Sequence, residues 1–311
     1  MKLYVHLELP PAARAYLLEN LPPDVETTFG DGLPPAAQQA ALHAAQVLLG
    51  NPPAAWMAGG GPPGLQLWQL ESAGFEAYAG MTVTAPVANM GDFFAWPCAE
   101  TMVAGLLAHY RALPELVRLQ QARHWASLDV RPRTSLLRNR RVVVLGAGAI
   151  AQAVRQQLGG FGCAVQLLAR TSPEAQLHSR AELLAALPTT EVAINCLPGS
   201  AGCYVDAELL EALPPGSVYA TVGRGSTTDE PALLAALASG HLAGAVLDVT
   251  ATEPLPPDHP FWAMPQVLLT QHTGGGQPRD MEGRVDQLLR NLAHLRAGQP
   301  LENLAELGRG Y

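Results

Sequence analysis

Three short segments each set an ionisable side chain just past a run of apolar residues: Thr221-Val-Gly-Arg224-Gly225, Leu247-Asp248-Val-Thr-Ala-Thr-Glu253-Pro254 and Leu269-Thr-Gln-His272-Thr-Gly274-Gly. A guanidinium is a planar fork that holds two oxygens at once. An imidazole exchanges a proton near neutral pH. A carboxylate bonded to the far ring nitrogen fixes which tautomer that imidazole presents. Upstream, Arg141-Val-Val-Val-Leu-Gly146-Ala-Gly148-Ala149-Ile150-Ala151 places Gly-x-Gly-x-x-Ala between an apolar run and a helical segment. The first glycine permits a tight turn, the second lets the backbone approach a pyrophosphate, and the small Ala151 lets helix pack close to strand. Gly146, Gly148, Ala149 and Ile150 then surround a helix N-terminus, whose free N–H groups favour an anion. The pattern reads as a dinucleotide site.

In that fingerprint the next strand ends, about 20 residues on, in an acid that grips the ribose hydroxyls of NAD. Here Ala164-Val-Gln-Leu-Leu-Ala169-Arg170-Thr171-Ser172 has no acid. Ala169 takes the carboxylate's place, and Arg170 with Thr171 offers a charge and a hydroxyl that suit a 2′-phosphate. NADP(H) is the preferred cofactor on this reading, with NAD(H) still usable.

These residues need rigid strands beneath them. Val142–Leu145, Ala164–Leu168, Val192–Asn195, Ser217–Thr221, Ala243–Val249 and Val267–Thr270 read as six buried strands separated mostly by helical segments. Arg224, Asp248 and His272 would leave three of them at the carboxyl ends, the edge where open α/β sheets place their sites. Before them, Lys2–Leu7, Gln46–Gly50 and Leu67–Leu70 read as strands, with Pro11–Asn20 a helix. The fold class expected is α/β, two Rossmann/flavodoxin-like doubly wound parallel-sheet domains. The middle opens with an amphipathic helix, Ala99–Arg111. A last helix, Met281–Arg296, lies beyond the strand set and folds back on the first domain, making it discontinuous. The boundaries expected are residues 1–97 with 276–311 for the substrate domain and 98–275 for the dinucleotide domain.

The chain has 311 residues and a formal net charge of −8, with no basic block interleaved with aromatics. Nucleic acid is thus an unsuitable partner. No apolar run reaches a membrane span, and the N-terminus carries no secretory signal, so a cytoplasmic location is expected. Cys98, Cys163, Cys196 and Cys203 are scattered without metal-ligand pairing, and no metal is expected. Lys2 is the only lysine. Internal Schiff-base chemistry and the Tyr-x-x-x-Lys relay of short-chain dehydrogenases are therefore excluded.

The three segments and the fingerprint resemble the D-isomer-specific 2-hydroxyacid dehydrogenase family, and within it the NADP-preferring glyoxylate/hydroxypyruvate reductases. The likeness is carried by Asp-Val-Thr-Ala-Thr-Glu-Pro-Leu-Pro-Pro-Asp-His-Pro-Phe-Trp, residues 248–262, followed by Leu-Thr-Gln-His, and runs from about residue 65 onward. It implies reduction of a small 2-keto acid by hydride transfer. Such a reaction needs a cation for the carboxylate, a proton donor for the carbonyl oxygen and a dry pocket beside the nicotinamide. Arg224, His272 and Glu253 are implied as the catalytic triad, with His272 as general acid. Pro198, Val222, Gly223, Asp248 and Gly274 are implied cofactor contacts. Ser72-Ala73-Gly74 looks like the family's substrate loop, in which the Ala73 and Gly74 amides hold the carboxylate. The resemblance also implies a homodimer joined through about Ala99 to Leu137, helped by Met102, Leu106, Leu107 and Leu113. Asp229, which resembles a loop acid of the family, reads as a helix N-cap.

Three places depart from the family pattern. Gln271 stands where a proline usually precedes the histidine. The loop from Leu197 to Gly202 is short, and Asn89-Met-Gly-Asp-Phe-Phe is unusual before the connecting helix. Two other readings compete. Formate dehydrogenases carry Gln where Glu253 stands. Corepressors of similar sequence sense the dinucleotide without turnover, but add peptide-binding extensions and disordered tails.

Overall fold

The computed structural model describes residues 1–309, and the chain divides into two compact units: Met1–Phe93 together with the residues from Gln277 onward, and Phe94–Gly276. The first unit is built on five parallel strands, β1 (Lys2–His6), β2 (Glu26–Phe29), β3 (Val47–Gly50), β4 (Leu67–Gln69) and β5 (Val87–Ala88), in the order β2-β1-β3-β4-β5. Parallel neighbours need a crossover, and the helices Pro11–Asn20 and Pro35–His43 supply the first two. Each starts on a proline at its first position, where the missing N–H would have had no partner. β3 is buried at every residue because helices cover both faces of the sheet.

The helix Asp280–Ala297 completes this unit. Its Val285, Leu288 and Leu292 are fully buried against Leu3, Val5, Leu49 and Leu67. Asn291 on the same helix donates from Nδ2 to Gln69 Oε1 at 2.8 Å, a buried polar pin onto β4. The first unit is therefore built from two separate stretches of the chain.

The second unit holds β6 (Arg141–Leu145), β7 (Ala164–Leu168), β8 (Val192–Asn195), β9 (Ser217–Thr221), β10 (Leu242–Leu247) and β11 (Val267–Leu269), all parallel, in the order β11-β10-β9-β8-β6-β7. β6 has β7 on one side and β8 on the other, so the crevice beyond the carboxyl ends of β6 and β8 is the switch point where such sheets bind ligands. Register aligns Leu145, Asn195, Thr221, Leu247 and Leu269 in one row across the sheet. Gly146, Cys196, Val222, Asp248 and Thr270 follow that row and crown a single edge.

The helix Ala95–Tyr110 packs on this sheet through Gly105, where a Cβ would lie 2.4 Å from Val246 Cγ1. It starts four residues before Ala99 because Pro97 falls in the first turn, where the ring is tolerated. Met102 and Leu106 are wholly buried in the unit's own core. They are not surplus apolar surface, contrary to the expectation that they help join two copies.

Candidate active site

Beyond Leu269 the chain turns sharply through Gln271 and His272, whose φ angles are +54° and +56°. Residues with a Cβ seldom adopt this conformation, and it is held here by the His272 amide donating to Asp248 O at 2.6 Å. The turn aims the imidazole at the loop after β10, where Nδ1 meets Glu253 Oε2 at 2.6 Å. Glu253 is anchored in turn, its Oε1 accepting the Thr250 amide at 3.0 Å. The same loop is tied down by Glu230, whose Oε1 accepts the Ala251 amide at 2.6 Å. With Nδ1 engaged, Nε2 is the ring atom available to a reactant, and about half of the His272 side chain is exposed. The dyad borders a cavity of about 380 Å³ walled by Leu247, Leu255, Trp262 and Leu269.

Asp248 is buried directly after β10. Its Oδ1 accepts Thr270 Oγ1 at 2.6 Å and the Gly274 amide at 3.0 Å. Gly274 has no room for a side chain, since a Cβ would sit 2.7 Å from Asp248 Oδ2. Among the described residues Oδ2 accepts no hydrogen bond, so it could take an amide N–H of a ligand.

Arg224 follows β9. The amides of Val222 and Gly223 both return to Asn195 O, at 3.0 and 3.1 Å, so this segment offers a ligand carbonyls rather than those two N–H groups. Arg224 Nη1 donates to Gly223 O at 3.0 Å. A Cβ on Gly225 would lie 1.9 Å from Thr250 O. That glycine lets the Arg224 loop lie against the loop carrying Glu253. Burial first, and then the Asp248 charge, push the Cys98 thiol up to about 12, while Arg224 pulls it the other way.

Sequence reasoning treated Asn195 only as the end of a strand. Its Nδ2 donates to Thr227 Oγ1 at 2.8 Å and to Tyr219 OH at 3.0 Å, and its Oδ1 accepts the Leu197 amide at 3.0 Å. One buried amide therefore positions both the Leu197–Pro198 turn and the Arg224 loop. The available signal was a polar residue closing an otherwise apolar strand. Asp229 caps the following helix, accepting Ala232 N at 3.0 Å.

The dinucleotide end is built at the switch point. Gly146 has φ +114°, a conformation that favours glycine. Gly148 precedes the helix Ala149–Gly159, which has no side-chain cap and no acid in its first turn. A Cβ on Gly148 would meet nothing within 4 Å, so open space faces this helix start. These features fit a pyrophosphate. Arg170 and Thr171 are exposed just past β7, and His178 bonds through Nδ1 to Ala169 O at 2.9 Å.

In the first unit, Ala73 and Gly74 lie in the loop after β4. Ser72 O accepts the Met90 amide at 3.1 Å, Ala73 O accepts Asn89 Nδ2 at 2.7 Å, and Gly74 O accepts Ser72 Oγ at 2.6 Å. Among the described residues no acceptor meets the N–H groups of Ser72, Ala73 and Gly74. Carbonyls tied inward and amides left open suit an anion such as a carboxylate.

Residues 103–274 match the family described as D-isomer specific 2-hydroxyacid dehydrogenase, NAD binding domain. A glyoxylate/hydroxypyruvate reductase A from Serratia proteamaculans is 33% identical over 245 residues, 76% of this chain and 76% of that protein. A D-isomer specific 2-hydroxyacid dehydrogenase from Xanthobacter autotrophicus Py2, solved in complex with NADPH and MES, matches with a TM-score of 0.82 at 27% identity, covering 100% of this chain and 99% of that one. An NADPH-dependent glyoxylate/hydroxypyruvate reductase from Sinorhizobium meliloti, in complex with citrate, matches with a TM-score of 0.80 at 26% identity over 99% and 98% of the two chains. The dyad, the fingerprint and these likenesses agree: the chain belongs to the D-isomer specific 2-hydroxyacid dehydrogenase family and is a nicotinamide-dependent oxidoreductase.

Proposed function

We propose that the protein reduces a small 2-keto acid of the glyoxylate or hydroxypyruvate kind to its D-2-hydroxy acid, using NADPH, with His272 as the general acid. The observation that carries this reading is the 2.6 Å contact between His272 Nδ1 and Glu253 Oε2, which orients the ring and leaves Nε2 to deliver a proton. Arg224 supplies the fork for the carboxylate and carbonyl oxygens, and the Ala73 and Gly74 amides hold the carboxylate. When bound, the nicotinamide supplies the hydride. Asp248, with the carbonyl side of Val222 and Gly223, orients it, and Gly274 permits the close approach. Pro198 borders the adenine side.

The NADP preference rests on Ala169 and Arg170 standing where an acid would repel a 2′-phosphate. The Sinorhizobium and Xanthobacter proteins, with their NADPH-dependence and bound NADPH, support it. We read the unit expected at 1–97 with 276–311, and seen as Met1–Phe93 with the residues from Gln277 onward, as the substrate domain, and the unit expected at 98–275, seen as Phe94–Gly276, as the dinucleotide domain. A cytoplasmic location is in keeping with four free thiols and with no described helix long and apolar enough to cross a membrane.

We also propose a homodimer. The helix Leu113–Gln121 has no buried residue, and Leu113, Leu116 and Val117 are exposed with Trp125, Leu128 and Leu136. Trp125 and Leu128 are 91% and 83% exposed, and a run of exposed apolar side chains within one segment suits a protein partner.

The test is NADPH oxidation by the purified protein with glyoxylate, hydroxypyruvate, pyruvate and bulkier 2-keto acids. Turnover should be fastest with the first two. Dinucleotide binding without flux on any of them would overturn the reading.

A further inference from the structure

We infer that Arg284, acting through Glu71, is a positioning residue for the Ser72-Ala73-Gly74 loop. The inference rests on the reading that the loop's amides hold the substrate carboxylate. Arg284 lies in the second turn of the helix Asp280–Ala297, with 17% of its side chain exposed. Its Nη1 donates to Glu71 Oε2 at 2.8 Å and to Glu71 O at 3.2 Å. Its Nε and Nη2 donate to Asp280 Oδ2 at 3.1 and 2.8 Å. One planar guanidinium thus grips both the side chain and the carbonyl of the residue that opens the loop. The Glu71 amide is held from the other side by Asn51 Oδ1 at 3.2 Å, and Asn51 Nδ2 donates to Ser72 Oγ at 2.9 Å. Both backbone polar groups of Glu71 are therefore fixed, which sets the direction in which the following three N–H groups leave.

As a stabilising device the cluster is poorly chosen. Two carboxylates share one cation, and all three side chains are at least three-quarters buried. Asp280 Oδ1 is buried with no hydrogen-bond partner. Burial holds Glu71 above the ordinary carboxylate range against the pull of Arg284, and Asp280 adds to the rise. Desolvation on this scale offsets much of what such ion pairs return. A structural purpose at the helix start would be met by the Arg284–Asp280 pair alone, spaced four residues apart. Glu71 adds nothing to that pair, but it extends the guanidinium's hold to the loop.

The cleanest variant is Glu71→Ala, which cuts the loop free and leaves the Arg284–Asp280 pair in place. Arg284→Met removes the fork and keeps the stem. Both should raise the KM for glyoxylate about tenfold, with kcat and the KM for NADPH held within about twofold, the pattern of lost ground-state binding. Glu71→Gln keeps an oxygen for the guanidinium and should recover most of the affinity. An unchanged glyoxylate KM in Glu71→Ala overturns the inference, even where Arg284→Met fails to fold. So does a parallel loss in kcat and both KM values, which marks general loosening. Ala73→Pro deletes one loop N–H and separates the two readings. If it leaves the glyoxylate KM unchanged, the loop does not hold the carboxylate and both readings fall. If it raises the KM while Glu71→Ala does not, only the positioning role of Arg284 falls.

Discussion

At the scale of single residues, His272 Nδ1 is engaged by Glu253 before any substrate arrives. A carboxylate at Nδ1 holds an N–H there and leaves Nε2 for a reactant. On the proposed reading, Nε2 would give a proton during reduction and take one during oxidation. His272→Gln should cut kcat by about 10²–10⁴, the usual contribution of a positioned acid–base group, while NADPH binding survives. Turnover within a few-fold of the parent would remove His272 from the chemistry. A second local choice sits at the end of β7. A charge-assisted bond from Arg170 to a 2′-phosphate contributes about 1.5–3 kcal/mol, one to two powers of ten in affinity. NADPH should be preferred over NADH at least about tenfold in kcat/KM. The pair Ala169→Asp with Arg170→Ala should narrow or invert that ratio while leaving kcat at saturating cofactor largely intact. Equal use of both cofactors by the parent would mean that Arg170 does not meet the phosphate.

At the scale of elements, the turn after β11 carries the departure at Gln271. Proline, usual in the family at this position, has φ locked near −65° and cannot adopt the +54° seen here. Gln271→Pro should therefore disturb the dyad, lowering both kcat and Tm, whereas Gln271→Gly relieves a left-handed residue and should be neutral or mildly stabilising. Thermal melts and kinetics on the two variants check this, and a fully active, equally stable proline variant would show that the turn is remade at no cost. The turn itself was not legible, because backbone dihedrals do not follow from residue type for a glutamine. Longer elements were. Pro11–Asn20, Ala164–Leu168, Val192–Asn195 and Ser217–Thr221 fall where their apolar patterns put them. β2 is not legible because Glu-Thr-Thr-Phe is a half-exposed edge strand without an apolar run, and β5 because it spans only two residues. The helix Pro35–His43 opens on Pro-Ala-Ala-Gln-Gln and buries only Leu42, so its sequence shows little face. In the site, the meeting of Glu253 with His272 could be anticipated from chemistry and motif. Asn195, Thr250, Thr270 and Arg284 could not, because each acts on a loop brought to it by the sheet or by the returning C-terminal helix.

At the scale of the whole molecule, the exposed apolar side chains between Leu113 and Leu136 are the surface that the proposed homodimer would cover. Light scattering at micromolar concentration should give twice the chain mass of 32.8 kDa. Trp125→Ser with Leu128→Ser should shift the population toward single chains, and a parent already at one chain mass would rule the dimer out. A last consequence comes from where β1 begins. The one lysine of the sequence, exposed Lys2, opens that strand. Because the first unit's strands are all parallel, its ε-amine lies at the edge opposite the Ser72–Gly74 loop. Coupling through that ε-amine to a bead or electrode would thus hold this sheet with its carboxyl edge turned away from the support.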